Sequence, residues 1–410
     1  MRNDFRQIPQ PTTELDLTDP SVHAEHDLTD HFRHLRTHDP VSWQRPDGTR
    51  RGYWLVSRHA DVATVCKDSA SFASTGGNVM DTLLHGGDTG AGRMLAVMDG
   101  PKHASMRKLL WRSFTPGALK SYAERIHSST AQLIRAAAGG EACDFARDVA
   151  AYIPLVAICD LLGVPPEDRE FILRRTSNAL GSEGSAHAPG AARLAKAELL
   201  LYFAKLAKAR RGEPADDLVT LLSTGLVTGD RLTDDEVVLN CYSLILGGDE
   251  TTRLTMIGGV QALIDHPDQW RALKNGTVSV ASAIEEILRW TSPAMHIGRT
   301  ALRDVELGGR SIKQGDAVVA WTASANFDEA EFEEPDRFDL ARQPNRHLSF
   351  AYGPHFCLGV HLARIELGAL LDGLRTTVSD LEPVGQSERV HSNFLSGLSS
   401  LPLRLRSIES

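Results

Sequence analysis

No two of the five cysteines form a Cys-x-x-Cys pair; they stand alone at 66, 143, 159, 241 and 357. That scatter argues against a zinc knuckle, a thioredoxin-type redox pair and a disulfide scaffold, and it suits a reducing compartment, so a cytoplasmic location is expected. Long apolar runs are also missing. The longest clear ones, such as residues 237–248, span about a dozen residues against the ~20 that a membrane crossing requires. Met1 to Arg6 contain no apolar core, so no secretory signal is expected. Positive charge is not in excess: 44 Lys and Arg face 53 Asp and Glu, for a net charge of −9, which disfavours nucleic acid as a partner. No internal repeat and no Pro/Gly/Ser-rich linker divides the 410 residues, and a single domain over 1–410 is expected. What remains is an ordinary globular mix, 42% apolar and 24% charged, able to bury a large core.

The patterning predicts a mainly α protein with small β-sheets. Residues 41–45 and 52–56, joined through a Pro46-Asp47-Gly48 turn, predict a hairpin. Residues 71–92 hold six glycines without a sustained period and predict a long, partly ordered loop. From Pro101 to Asp265 the reading is mostly helical, interrupted at the Gly/Ser/Ala-rich residues 181–190, a candidate lid. Thr233-Asp-Asp-Glu236 is a capping box, and the pattern after it predicts a helix to residue 265, about 32 residues or roughly 48 Å long. So long a helix, apolar on most faces, must cross the middle of the protein. Short strands are predicted at 304–307 and 317–321. A Gly/Pro-punctuated coil follows to Gly359, then a helix from Val360, and a turn at 395–400 closes the chain.

Chemistry concentrates at Cys357, in Phe350-Ala-Tyr-Gly353-Pro-His355-Phe-Cys357-Leu-Gly359. A lone Cys among apolar residues is ordinarily a small core residue. Here, however, two glycines allow a tight loop around the sulfur, and the helix that begins near Gly359 points its positive end at it, which favours a thiolate. Phe350 can pack under a flat ligand. A buried thiolate with no second Cys and no metal-spaced His suits one axial position on a haem iron. Halfway along the long helix lies Gly247-Gly248-Asp249-Glu250-Thr251-Thr252. Two adjacent glycines cost about 1 kcal/mol each in a helix interior. They let a flat cofactor approach the backbone, beside an acid and an alcohol able to move protons.

Phe-x-x-Gly-x-His-x-Cys-x-Gly resembles the cytochrome P450 haem-thiolate monooxygenases of the soluble bacterial type. The resemblance is good from about Asp99 to the C-terminus and looser before it. It implies the cytochrome P450 fold, with the long helix over haem b (iron protoporphyrin IX), and Cys357 as the iron's axial ligand. It implies Thr251 as the proton-delivering hydroxyl and Glu250 as the acid that relays protons from solvent. Glu286-Ile-Leu-Arg289, about 70 residues before Cys357, matches the family's Glu-x-x-Arg. With Arg337 of Pro335-Asp-Arg337-Phe338 it is expected to form a structural triad. The haem propionates need cationic partners. His103 and Arg107, at i and i+4, share a helix face, and with Arg299 and His355 they fall where the family binds propionates. Phe350, Gly359, Gly247 and Gly248 complete the expected cofactor site.

By the same resemblance, substrate contacts come from residues 71–92 and 181–190, from Ser243 and Leu246, from Met295, His296 and Ile297, and from Leu398. This mostly apolar set implies a medium-sized, mainly hydrophobic small molecule, hydroxylated or epoxidised in bacterial secondary metabolism and free or tethered to an acyl or peptidyl carrier protein. A steroid or fatty-acid hydroxylase is the alternative. No flavin or iron–sulfur motif is present, so a separate ferredoxin and its reductase are expected as electron donors, with Lys108 and Arg112 as a candidate docking patch. A monomer is expected. The pairing of Glu250 with Thr251 argues against a peroxide-driven enzyme and against a non-catalytic haem sensor, neither of which requires a proton relay.

Overall fold

The computed structural model describes residues 15–180 and 190–408. The chain is mostly helical with five small sheets among the described residues. Its organising element is the helix Asp234–Asp265, 32 residues long. Its start is as the sequence predicts. The Thr233 side chain accepts from the Glu236 N–H, the Glu236 side chain accepts from the Thr233 N–H, and three acids occupy the first turn. It stops at His266, because Pro267 opens the next helix, Pro267–Lys274, and disfavours helical geometry in the residue before it. Val237, Cys241, Ile245, Leu254, Met256, Ile257 and Val260 along it are all at most 1% exposed. The helices Tyr152–Leu162, Ala191–Gly212, Val280–Thr291 and Val360–Thr377 enclose it. Val360–Thr377 packs in turn on Lys120–Ala138, which completes a helical body around one large apolar core.

The hairpin forms between Val41–Gln44 and Tyr53–Val56. It is extended into a five-stranded sheet by strands from distant parts of the chain: Ala317–Ala320 runs parallel to Tyr53–Val56, Ile297–Ala301 is antiparallel to that, and Phe72–Ala73 forms the edge. Ala317–Ala320 is buried at every position, which explains why its sequence is uniformly apolar rather than alternating. The sheet matters for the site because it carries Arg299 and ends beside His296.

The loop expected over residues 71–92 is more regular than its glycine content suggests, holding the Phe72–Ala73 strand and a short helix, Met80–Leu84. Tertiary contact outweighs weak local propensity there: Met80, Leu83 and Leu84 are buried against Trp321 and the sheet. The candidate lid at residues 181–190 lies, but for Gly190, outside the described residues.

Candidate active site

The loop before Val360–Thr377 closes on itself. The Cys357 N–H donates to the Phe350 carbonyl at 2.9 Å, and a single 3-10 turn, Gly353–His355, fills the interval. Gly353 has φ +73°, and a Cβ there would stand 2.7 Å from the Cys66 carbonyl oxygen, so no other residue fits. Burial pushes the Cys357 thiol up, and the Gly359 N–H with the Arg107 and Arg364 guanidiniums opposes that push. The helix end alone therefore does not decide the sulfur's charge. Phe350 is 8% exposed and lies under the Arg364 guanidinium, 5.0 Å from ring centre to Cζ.

Cys357, Leu358, Gly359, Leu362 and Phe350 form one wall of a cavity of about 330 Å³, which Gly247, Gly248, Thr251, Thr252 and Thr255 of the long helix also line. The two glycines do different work. A Cβ on Gly247 would meet nothing within 4 Å, whereas one on Gly248 would stand 2.8 Å from the Ile158 side chain. Gly248 thus admits the helix Tyr152–Leu162, and Gly247 leaves space in the cavity. Thr251 donates from Oγ1 to the Gly247 carbonyl at 3.0 Å. Glu250 does not line the cavity. It is wholly buried, accepts from Arg253 Nη2 at 2.8 Å and sits 3.5 Å from the Ser177 hydroxyl. Its neighbour Asp249 is also buried and accepts from Thr176 Oγ1 at 2.7 Å. Burial, reinforced by Glu250, raises the Asp249 carboxyl.

On the flank, the predicted polar set converges. The His103 and His355 rings lie against each other with centroids 4.2 Å apart and planes tilted by 32°, and His355 Nε2 lies 3.1 Å from both Asp99 Oδ1 and Ser74 Oγ. Burial depresses His103 to about 4, with the neighbouring His355 and Arg107 adding to it, so this ring is neutral at physiological pH. His103 Nε2 and Arg299 Nη2 are buried without a hydrogen-bond partner among the described residues. Arg299 is 2% exposed, and its one hydrogen bond goes to the Gly298 carbonyl. A buried guanidinium without an ion pair among the described residues, and with Asp99 acting on it only from a distance, is costly, and a bound anion relieves that cost. With Arg107 on the same cavity wall, this flank suits two carboxylates on a flat ligand whose metal meets Cys357.

Glu286 and Arg289, both 0% exposed, pair bidentately at 2.8 Å. Arg289 also donates to the carbonyls of Asn326, Pro335 and Arg337. The third member is not the side chain of Arg337, which is 61% exposed and bridges to Glu334. Arg342 takes that place, with Nε 3.1 Å from Glu286 Oε2. The reason is local: Phe338 turns into the core, leaving its neighbour's side chain outside and only the Arg337 carbonyl facing inward.

Of the expected substrate residues, Ser243, His296 and Ile297 line the cavity. Leu246, Met295 and Leu398 do not. Leu246 lies a turn-fraction away from the face that Ser243, Gly247 and Thr251 share at helical spacing. Met295 alternates with Ala294 and His296 in an extended segment, so it points the other way, into the cluster of Trp321 and Met80. Leu398 is buried in the main core within the strand Leu398–Ser400, and Phe394 reaches the cavity in its stead. Asn78 lines the cavity from the expected 71–92 segment, whereas Leu95, Asn240 and Leu244 are further lining residues that the sequence reading missed. Glu366 was missed as well. It is buried on Val360–Thr377, lines the cavity beside Thr252, and burial raises its carboxyl well above the usual range. An acid directly before the apolar run 367–371 was the available signal.

The family model described as Cytochrome P450 matches residues 204–374. Cytochrome P450 NovI of Streptomyces niveus is 48% identical, over 97% of this chain and 98% of its own. This chain is a cytochrome P450. A steroid C26-monooxygenase of Mycolicibacterium smegmatis is 35% identical over 95% of the chain and 93% of its own. The crystal structure of P450 OxyD, described as involved in the biosynthesis of vancomycin-type antibiotics, superposes with a TM-score of 0.88 at 37% identity, covering 96% of this chain and all of that one. As a P450 the protein is a haem b oxidoreductase of the monooxygenase class, and the residues around its cavity fit that cofactor. No helix among the described residues is long and apolar enough to cross a membrane.

Proposed function

We propose that this P450 is a single-domain monooxygenase that hydroxylates or epoxidises a medium-sized, mainly apolar small molecule in bacterial secondary metabolism. The observation that carries the reading is one cavity lined by both Cys357 and Thr251, with the buried Arg299 guanidinium, free of any ion pair among the described residues, at its flank. When bound there, haem supplies the activation of dioxygen and the transfer of one oxygen atom to the substrate. Cys357 would hold the iron, and Phe350 and Gly359 would bound the ring. His103, Arg107, Arg299 and His355 would take the propionates. Thr251 holds a proton at Oγ1, parked on the Gly247 carbonyl, and one side-chain rotation frees it toward the cavity. Glu250, off the cavity and tied to Arg253 and Ser177, would resupply that hydroxyl.

The substrate walls are largely apolar, with Leu95, Leu244, Pro293, Ile297 and Phe394 against the few polar groups of Ser243, Asn240 and Asn78. The OxyD neighbour supports secondary metabolism, and the steroid C26-monooxygenase keeps a steroid as the second arm of the test. Electrons come from a separate ferredoxin and reductase, for which Lys108 and Arg112 are both exposed. The five free cysteines suit a cytoplasmic location. The test is turnover with a surrogate ferredoxin system. Candidates are first ranked by the low-spin to high-spin shift they cause: carrier-tethered acyl groups, free apolar small molecules, steroids and fatty acids. Oxygenated product supports the reading. Tight ligand binding without any turnover would make the protein a haem sensor instead.

A further inference from the structure

His296 is 1% exposed and lines the cavity. Its two ring nitrogens are not equivalent. The Met80 backbone N–H donates to Nε2 at 3.0 Å. A backbone N–H can only donate, so Nε2 must be the bare nitrogen and Nδ1 must carry the proton. The tautomer is thus fixed by the short helix Met80–Leu84. Nδ1 has no hydrogen-bond partner among the described residues. Trp321 and Phe394 cover the ring at centroid distances of 5.1 and 5.3 Å and offer no acceptor. A protonated ring nitrogen buried with nothing to bond is costly, and the cavity that His296 lines is where a partner for it would come from.

We infer that the His296 Nδ1–H is the donor that orients the substrate, and that the substrate presents a neutral oxygen acceptor, a carbonyl above all, to the 293–297 wall. The inference rests on reading the cavity as the haem and substrate pocket. The donor is uncharged, since burial, with nearby His23 adding to it, depresses this ring to about 3. It therefore offers direction without a counter-charge, and an ionised carboxylate would gain no ion pair from it. The neighbouring Ile297, Pro293 and Phe394 offer only apolar contact, so on this wall the N–H would favour the end of the molecule that carries the acceptor, apart from the polar groups of Ser243, Asn240 and Asn78 elsewhere in the cavity.

The probes are N-alkylimidazoles of graded tail length, whose ring nitrogen binds the iron of the holoenzyme and red-shifts its Soret band. Each tail ending in a methyl ketone is compared with the plain alkyl tail of equal length. At one tail length the ketone should bind about tenfold more tightly than its alkyl partner in the wild type, the return from pairing a buried donor. His296→Phe should erase that preference and leave alkyl affinities, haem content and the ferrous–CO spectrum in place. His296→Leu serves as a second truncation. Absence of a ketone preference at every length in the wild type overturns the inference whether or not the variants fold, and so does a preference that survives in both. If no azole shifts the Soret band of the wild type, the pocket reading itself fails, and that outcome is distinct from the other two.

Discussion

Arg289→Ala is the perturbation whose cost the structure defines most closely. The guanidinium is wholly buried and makes two bonds of 2.8 Å to Glu286 and three more to the carbonyls of Asn326, Pro335 and Arg337. Truncation leaves a buried carboxylate short of its main partner, which costs about 3–5 kcal/mol. Glu286 is not abandoned, since Arg342, the Asn345 amide and the Asp339 N–H still face it. The lower part of that range therefore applies to the charge, and the three orphaned carbonyls return the total to roughly 4 kcal/mol. An unfolding entropy of about 2.1 cal/mol/K per residue over some 400 residues gives roughly 0.85 kcal/mol/K, so the melting temperature should fall by about 5 °C. Because the carbonyls belong to the coil that leads to the Cys357 loop, haem occupancy should fall with it. The assay is differential scanning fluorimetry together with the haem-to-protein absorbance ratio of the purified enzyme. Arg337→Ala is the internal control, and with an exposed side chain it should shift melting by no more than about 1 °C. Arg342→Ala should lie between the two. Equal losses for Arg337→Ala and Arg289→Ala, or a normal melting temperature for Arg289→Ala, would refute the placement of the network.

Other substitutions test the cavity. Thr251→Ala should leave haem content intact while product per NAD(P)H consumed falls about 100-fold and hydrogen peroxide rises, within the range a positioned proton donor contributes; unchanged coupling removes Thr251 from the reaction. Cys357→His should abolish the red-shifted ferrous–CO band, whereas Ala at Cys66, Cys143, Cys159 or Cys241 should keep it, and loss of that band in any of those four with haem bound would reassign the ligand. Gly248→Ala should cost about 1–3 kcal/mol by forcing its Cβ onto Ile158, while Gly247→Ala should keep stability and change ligand spectra; the reverse order contradicts the packing. Glu366 has a raised carboxyl, so the stability tied to its neutral form is present at pH 4 and lost as pH rises through its folded-state value. Glu366→Gln should therefore gain melting temperature relative to the wild type between pH 5 and 8, and a constant difference across that window would show the acid to be unperturbed.

Local signals determined much of this protein. The capping box at Thr233, the proline after His266 and the apolar periodicity between them fix the long helix, because caps and breakers act through the backbone within a few residues. The Cys357 loop was legible for a similar reason: only glycine tolerates the Gly353 conformation against Cys66, so the chemistry left its mark in residue type. Tertiary structure decided what depends on partners distant in sequence. Arg337 and Arg342 are both arginines on one coil, and only the turn of Phe338 into the core selects the second for Glu286. Met295 and His296 exchange roles on a one-residue change of facing. The donor state of His296 comes from a backbone N–H more than 200 residues earlier in the chain. Burial, which raises Glu366 and lowers His103, belongs to the assembled core and to no local stretch of sequence, because desolvation is set by everything packed around a group.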